Sequence, residues 1–440
     1  MKNMAKLNKP VKQEPIFTHE GARAVRINAY QMLRRSVCSC MLWEREFYED
    51  GETIADRIAS LIKEVEPNKV AELAVEAREK FKLRHVPLLL VRELARLGYK
   101  ETAMTLGRVI QRPDELSEFL ALYWKNGKAP LSAQVKKGLA AAFTKFSSYQ
   151  LAKYNRDAAI KLRDVLFLSH AKPNDEAQAE VWKKLIDGTL EAPDTWEVSL
   201  SAGKDKKSTW ERLLSENKLG ALALLRNLRN MRDAGVGEPS VIEAIRRAKV
   251  ERVMPYRFIA AARYAPSLEP YLEESMFKCT SGAEKMKGHT VALIDVSGSM
   301  NDLLSAKSDL TRMDAACGVA MILREICDRI TVVTFSEKAV VVPSRRGFAL
   351  RDAITGSQIH SYTRLGAALN DIYATHSGAE RIVVVTDEQS HDTVPDPRGT
   401  AGYMINVASA RNGVGYRAWN HVDGFSEAVI DWIREHENLR

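Results

Sequence analysis

The ten residues VALIDVSGSM, positions 291–300, decide how the C-terminal part of this chain folds. Apolar residues run without alternation from Val291 to Ile294, the pattern of a strand covered on both faces. Asp295, Ser297 and Ser299 follow at alternate positions on the next turn, and Gly298 lets that turn be tight. Three hard oxygen donors on one short loop outline a site for Mg²⁺, which takes oxygen ligands in near-octahedral geometry at roughly 2.0–2.1 Å and keeps several waters. Mn²⁺ suits the same donors. A solvated strand-to-helix turn rich in Ser and Asp is the plainer reading of one such loop.

The residues downstream alternate in type. TRMDAACGVAMILREIC (311–327) and LGAALNDIYATH (365–376) have helical periodicity, ITVVTF (330–335), RIVVVTD (381–387) and YMINVAS (403–409) read as strands, and KAVVVP (338–343) as a hairpin partner. DGFSEAVIDWIREH (423–436), with Ser426 near its start, reads as a final helix. Such alternation gives a mostly parallel α/β sheet covered on both faces, with ligands at the C-terminal edge of the strands.

Asp-x-Ser-x-Ser at that edge resembles the metal-ion-dependent adhesion site of von Willebrand factor A domains. The resemblance implies a Thr from a second loop and an Asp from a third. Thr363 in SYTRLGAALN and Asp387 at the end of RIVVVTD stand in that order. It also implies a cation that accepts a carboxylate from a protein partner. Arg364 departs from the family, in which small or acidic residues are common at this position, and a guanidinium there would weaken the cation or recruit an anion.

The chain has 440 residues, room for two or three domains, and a formal net charge of +8 that favours polyanionic partners. Its five cysteines, Cys38, Cys40, Cys279, Cys317 and Cys327, are odd in number and scattered. They form no disulfide framework, and Cys38-x-Cys40 lacks the second pair that a zinc site needs, so a reducing cytosol is expected. Residues 1–20 are read as a flexible, basic arm with no apolar core, neither signal peptide nor anchor. The longest apolar run, 86–91, is far short of the ~20 residues that span a bilayer, so a soluble, cytoplasmic protein without membrane contact is expected.

From about residue 21 to about 272 nearly every segment reads as helix. TIADRIASLIKEV, VAELAVEAREKF, LLLVRELARL, ETAMTLGRVI and DELSEFLALYW carry apolar residues three and four apart, with breaks at Glu66-Pro67-Asn68 and Arg112-Pro113-Asp114. Short connections imply antiparallel pairs stacked as in HEAT-like solenoids, although no strict period is present.

Basic residues concentrate in the second half of this region. Between Gln134 and His170 lie Lys136, Lys137, Lys145, Lys153, Arg156, Lys161 and Arg163 against Asp157 and Asp164, with Phe143, Phe146, Tyr149 and Tyr154 interleaved. LLRNLRNMR and AIRRAKVERVMPYRF, which contains Arg257, follow. Basic and aromatic side chains on one surface neutralise phosphates and stack unpaired bases, and a solvated helix face is the alternative for any one run. With Leu222, Leu225 and Leu228 as a core stripe, Arg226, Asn227, Arg229 and Asn230 are left as donors on the other faces of one helix.

MLWEREFYEDG (41–51), KYNRDAAIKLRDVLFLSHAKP (153–173), TWE (195–197), ALLRNLRNM (223–231) and RVMPYRFIAA (252–261) resemble, in order, the motifs of the TROVE module of the Ro ribonucleoprotein family. That resemblance sets the expected layout: an arm at 1–20, a TROVE helical-repeat ring at 21–277, a linker at 278–289 and an A-type domain at 290–440. It implies a monomer whose outer basic surface binds small Y-like RNAs and whose central hole takes single-stranded ends of misfolded RNA. An exoribonuclease such as polynucleotide phosphorylase is the implied protein partner. On matching positions Lys153 and His170 belong to the outer surface and Arg156 lies near a second basic position. Asp157 stands where the family has a basic residue.

Two other functions compete. One is an adaptor whose repeats bind protein. The other is a metal-dependent phosphohydrolase with Asp295 as nucleophile, against which stand Ser297 where a second carboxylate is wanted and the lack of a GKS or GKT phosphate loop.

Overall fold

The computed structural model describes residues 14–38, 51–191, 205–250, 253, 255–281, 284–304, 309–408, 410–424, 429, 433 and 437. Most of MLWEREFYEDG, the TWE motif, Cys40, Ser426 and residues 1–13 lie outside them.

Among the described residues ten α-helices come first: α1 (Ala29–Cys38), α2 (Gly51–Leu61), α3 (Pro67–Glu79), α4 (His85–Arg96), α5 (Thr102–Val109), α6 (Pro113–Tyr123), α7 (Ala133–Phe143), α8 (Ser148–Tyr154), α9 (Leu162–Ser169) and α10 (Glu176–Asp187). The two expected breaks become helix starts, because Pro67 and Pro113 occupy first-turn positions where no N–H is needed. α3 packs on α4 and α5, α5 on α7, α7 on α9, and α4 on α6. Contact with the next helix but one is what stacked pairs produce. One apolar core, from Leu33 to Leu185, runs through these helices.

Five further helices, α11 (Lys206–Ser215), α12 (Ala221–Asp233), α13 (Glu238–Arg247), α14 (Pro255–Tyr264) and α15 (Glu269–Phe277), share a second core with one face of the sheet. The sheet has six strands in the order β3 (Ala339–Val341), β2 (Cys327–Phe335), β1 (Met286–Asp295), β4 (Arg381–Thr386), β5 (Ala401–Asn406) and β6 (Asn420–Asp423). All pairs are parallel except β2 with β3, the expected hairpin. Helices α16 (Arg312–Ile326), α17 (Gly347–Thr355) and α18 (Leu365–Thr375) lie between strands in sequence. The chain leaves β1 for β2 on one side and later for β4 on the other, so a topological switch point falls between β1 and β4.

Both ends of the helical array rest on this α/β domain. α1 packs against β6, while α14 packs on α16 and α15 on α17. The array therefore closes through the domain that follows it.

The structure corrects several boundaries. β1 begins at Met286, inside the expected linker 278–289. Within the expected arm 1–20, residues 14–20 are not loose: Phe17 bridges Arg23, and Thr18 Oγ1 donates to the Ser390 carbonyl at 2.9 Å. Two elements were not anticipated, the short helix α17 and the four-residue strand β6. Of the expected final helix 423–436, Asp423 ends β6 and Gly424 is a bend, while Val429 and Ile433 are helical and buried, and Glu437, just beyond it, is helical too. Cys38, Cys279, Cys317 and Cys327 are free thiols. Among the described residues no helix is long and apolar enough to cross a membrane.

Candidate functional site

The switch point between β1 and β4 gathers the five oxygen-bearing residues. Asp295 ends β1, Ser297 and Ser299 sit on its turn, Thr363 precedes α18, and Asp387 follows β4. Asp295, Ser297 and Asp387 are fully buried, Thr363 nearly so, and Ser299 half-buried, so the cluster opens to solvent on the Ser299 side. The three loops are tied together. Gly298 N–H donates to the Ser361 carbonyl at 3.1 Å, Ser299 Oγ to Asp387 Oδ2 at 2.6 Å, and Ser390 Oγ to the Thr363 carbonyl at 3.2 Å.

Each carboxylate keeps part of its capacity for local bonds. Asp295 accepts from Ser297 N–H at 2.9 Å and Thr386 Oγ1 at 2.6 Å. Asp387 accepts from Gln389 N–H at 3.2 Å as well as from Ser299. Burial, and then the neighbouring charge of Asp387, push the Asp295 carboxyl up to about 7. Two buried carboxylates under that electrostatic pressure, beside three hydroxyls, are a donor set that a hard divalent cation relieves. Among the described residues no group of three or more His, Cys, Asp or Glu forms a metal cluster. This set differs in kind, because hydroxyls make up most of it.

The cation beside the cluster is Arg312, not Arg364 as the sequence suggests. Arg364 is exposed, with its guanidinium 5.8 Å from the Tyr362 ring centroid. Arg312, buried at the start of α16, reaches within 3.7 Å of Asp387 Oδ2 and donates to the Ser299 carbonyl at 3.2 Å. Its signal was its position, since a cation in the first turn of a helix opposes the helix dipole and needs a carboxylate partner.

The expected nucleic-acid residues fall into two groups on the helical array. The first spans α7 to α9, and α7 packs directly on α9. Lys137, Arg156 and His170 are exposed there, Lys136 and Lys153 half-buried. Lys153 Nζ and the Arg112 guanidinium stand 5.8 Å and 4.6 Å from the Tyr154 ring centroid. His170 ends α9 in the left-handed region at φ 54°, its backbone N–H capping carbonyls of the last turn.

Two lysines of this group have other work. Lys145 Nζ donates to the carbonyls of Gly107 and Ile110 at the end of α5, and Lys161 pairs with Asp157 at 2.7 Å. Of the four interleaved aromatics, Phe143 and Phe146 are core residues, which leaves Tyr149 and Tyr154 available for stacking.

The second group lies on α12 and α14. Arg226 and Arg229 are exposed, Arg229 standing 5.5 Å from the Tyr264 ring centroid, and Arg257 is half-buried at 4.8 Å from that of Tyr256. Asn227 is corrected. It is 3% exposed, its Nδ2 donates to the Ala223 carbonyl and its Oδ1 accepts from Asn230, both at 2.8 Å. The core stripe is Leu224, Leu225, Leu228 and Met231, while Leu222 is exposed.

Comparison with known proteins fits this arrangement. Residues 188–301 match the TROVE domain. A stretch of 104 residues is 33% identical to telomerase protein component 1 of Mus musculus and 32% identical to that of Rattus norvegicus. It covers 22% of this chain and 4% of each relative, so the chain spans a small part of their length. The crystal structure of the Deinococcus radiodurans Ro (RSR) protein superposes with a TM-score of 0.62 at 19% identity, covering 92% of this chain and 98% of that one. At that identity the likeness is one of fold. Together these matches place a TROVE-like stretch at residues 188–301 within a chain that has the fold of the Ro protein.

Proposed function

We propose that this protein is a non-enzymatic RNA-binding protein of the Ro type, which carries a small structured, Y-like RNA and engages single-stranded ends of misfolded RNA. The observation that carries this reading is the cationic surface from α7 to α9. Lys136, Lys137, Arg156 and Arg163 make no ion pair within 4.0 Å among the described residues, and Tyr149 and Tyr154 lie among them partly open. Phosphate neutralisation by the cations and stacking on the tyrosines are the two halves of single-strand capture. An exoribonuclease such as polynucleotide phosphorylase is the partner class to which such tails would be delivered.

In the same reading Asp295, Ser297, Ser299, Thr363 and Asp387 hold Mg²⁺ or Mn²⁺, whose chemistry is to accept an acidic side chain of a protein partner. Asp295→Ala then removes Mg²⁺ binding and leaves RNA affinity nearly unchanged, because the two sites lie in different domains.

The test is fluorescence anisotropy with an RNA hairpin bearing a single-stranded 3′ tail, titrated at several salt concentrations. The reading expects log affinity to fall linearly with log salt. Affinity indifferent to salt between dilute and physiological buffer would overturn it in favour of the adaptor function.

A further inference from the structure

The five residues after β4, 387–391, belong to two structures at once. Asp387 faces the oxygen cluster, where Ser299 donates to it. Glu388 turns into the left-handed region at φ 62° and is fully buried. Its carboxylate takes Arg35 of α1 on one oxygen and His421 of β6 on the other. Gln389 Oε1 accepts the His19 N–H at 2.7 Å. The Ser390 carbonyl accepts Thr18 Oγ1 at 2.9 Å and the Ala22 N–H at 3.3 Å.

His391 joins the two sides directly. Its Nδ1 accepts the Thr363 N–H at 3.0 Å, which leaves the ring proton on Nε2, and Nε2 lies 2.9 Å from Glu20 Oε2. Thr363 and Asp387, both oxygen donors of the cluster, are thus linked through one loop to Thr18, His19, Glu20 and Arg35.

Gly413 packs closely behind this pair: a Cβ there would lie 2.3 Å from Glu388 Oε2 and 2.6 Å from Arg35 Nη2, so any larger residue displaces the two side-chain ends. Arg35 is also fixed by the Ala410 carbonyl at 2.7 Å and Tyr416 Oη at 3.1 Å. α1, which carries Arg35, is the end of the helical array that rests on β6.

We propose that cation binding and docking of the N-terminal segment 14–38 are one coupled equilibrium. A divalent cation held by Thr363 and Asp387 fixes 387–391 in the form that grips this segment, and undocking of the segment loosens the site. Closure of the helical array is then under the control of the cation. The coupling rests on the cation reading of the cluster given above, and by linkage it is reciprocal: each event changes the other by the same factor.

The experiment uses the full chain and two readouts, calorimetry with Mg²⁺ and amide hydrogen exchange followed by mass spectrometry, with and without the metal. Mg²⁺ is expected to slow exchange in 14–38 about fivefold or more while leaving 206–277 unchanged. The double variant Thr18→Ala, Glu20→Gln, which removes two of the loop's grips, is expected to weaken Mg²⁺ by a similar factor. Gly413→Ala, which displaces Arg35 from the other side, should do the same. Mg²⁺ binding with no change of exchange in 14–38, or with equal affinity in wild type and both variants, overturns the coupling alone. Absence of any binding heat overturns the cation reading and the coupling with it.

Discussion

Arg312 Nη1 stands 3.7 Å from Asp387 Oδ2, inside the cluster of oxygens that the sequence marks as a cation site. It occupies the first turn of α16, where the helix dipole disfavours a cation, so Asp387 and the Ser299 carbonyl hold it there against that field. Its charge acts in place of part of a bound cation and competes with one. Arg312→Met should therefore tighten Mg²⁺ binding about tenfold, since removing a like charge a few ångströms away is worth roughly 1–4 kcal/mol at the dielectric of such sites. Isothermal calorimetry measures it, and weaker binding would show that Arg312 supports the site.

The basic residues divide into those that face solvent and those that hold helices together. Lys145→Met should cost about 1 kcal/mol by leaving the Gly107 and Ile110 carbonyls without their donor, with RNA affinity unchanged. Lys137→Ala and Arg156→Ala should leave the denaturation midpoint alone, and each should reduce the slope of log affinity against log salt by about one. Urea melts and anisotropy titrations on the same three proteins separate the two classes.

His421 is buried between Asp423 at 3.4 Å and Glu388, with its ring stacked on Tyr416 at 3.8 Å between centroids. Burial opposes its charge, but Asp423 and then Glu388 outweigh burial and push it up to about 9. A histidine raised above its unfolded value near 6.5 contributes stability that is complete below about pH 6.5 and lost as pH rises through about 9. The contribution is on the order of 2–3 kcal/mol. Wild type should lose that much between pH 6.5 and 9.5, and His421→Gln should lose correspondingly less, which cancels the part due to buried thiols. Equal losses would show that His421 folds neutral.

Gly424 adopts φ +85°, and a Cβ there would lie 2.1 Å from the Cys38 carbonyl oxygen at the end of α1. Gly424→Ala is thus strained in its own backbone and drives α1 away from β6. A loss of about 2 kcal/mol or more is expected, with proteolysis appearing within 14–38 before the rest of the chain opens.

Much of the α/β domain was legible because buried parallel strands are short apolar runs that end where a polar ligand begins, as VALID and IVVVTD do. β6 hid because NHVD is four mixed residues whose two polar ends find partners far along the chain, Asn420 in the Gly402 carbonyl and Asp423 in Asn406 and Arg35. On α12 the stripe was placed out of phase. A buried Asn227 satisfied by its own helix reads as a surface residue, and its place in the core went to Leu222. The oxygen cluster could be assembled from order along the chain, whereas Arg35 with Glu388 could not, since no local pattern joins residues 353 positions apart.

Capture of RNA is the function proposed for the cationic surface from α7 to α9. Purification of the protein from its native cells at low salt, followed by sequencing and quantification of whatever nucleic acid accompanies it, is the direct test. One or a few small structured RNAs in near-equal molar amount, released as salt is raised, are expected. Protein free of RNA at low salt, with a protein partner in its place, would contradict that function.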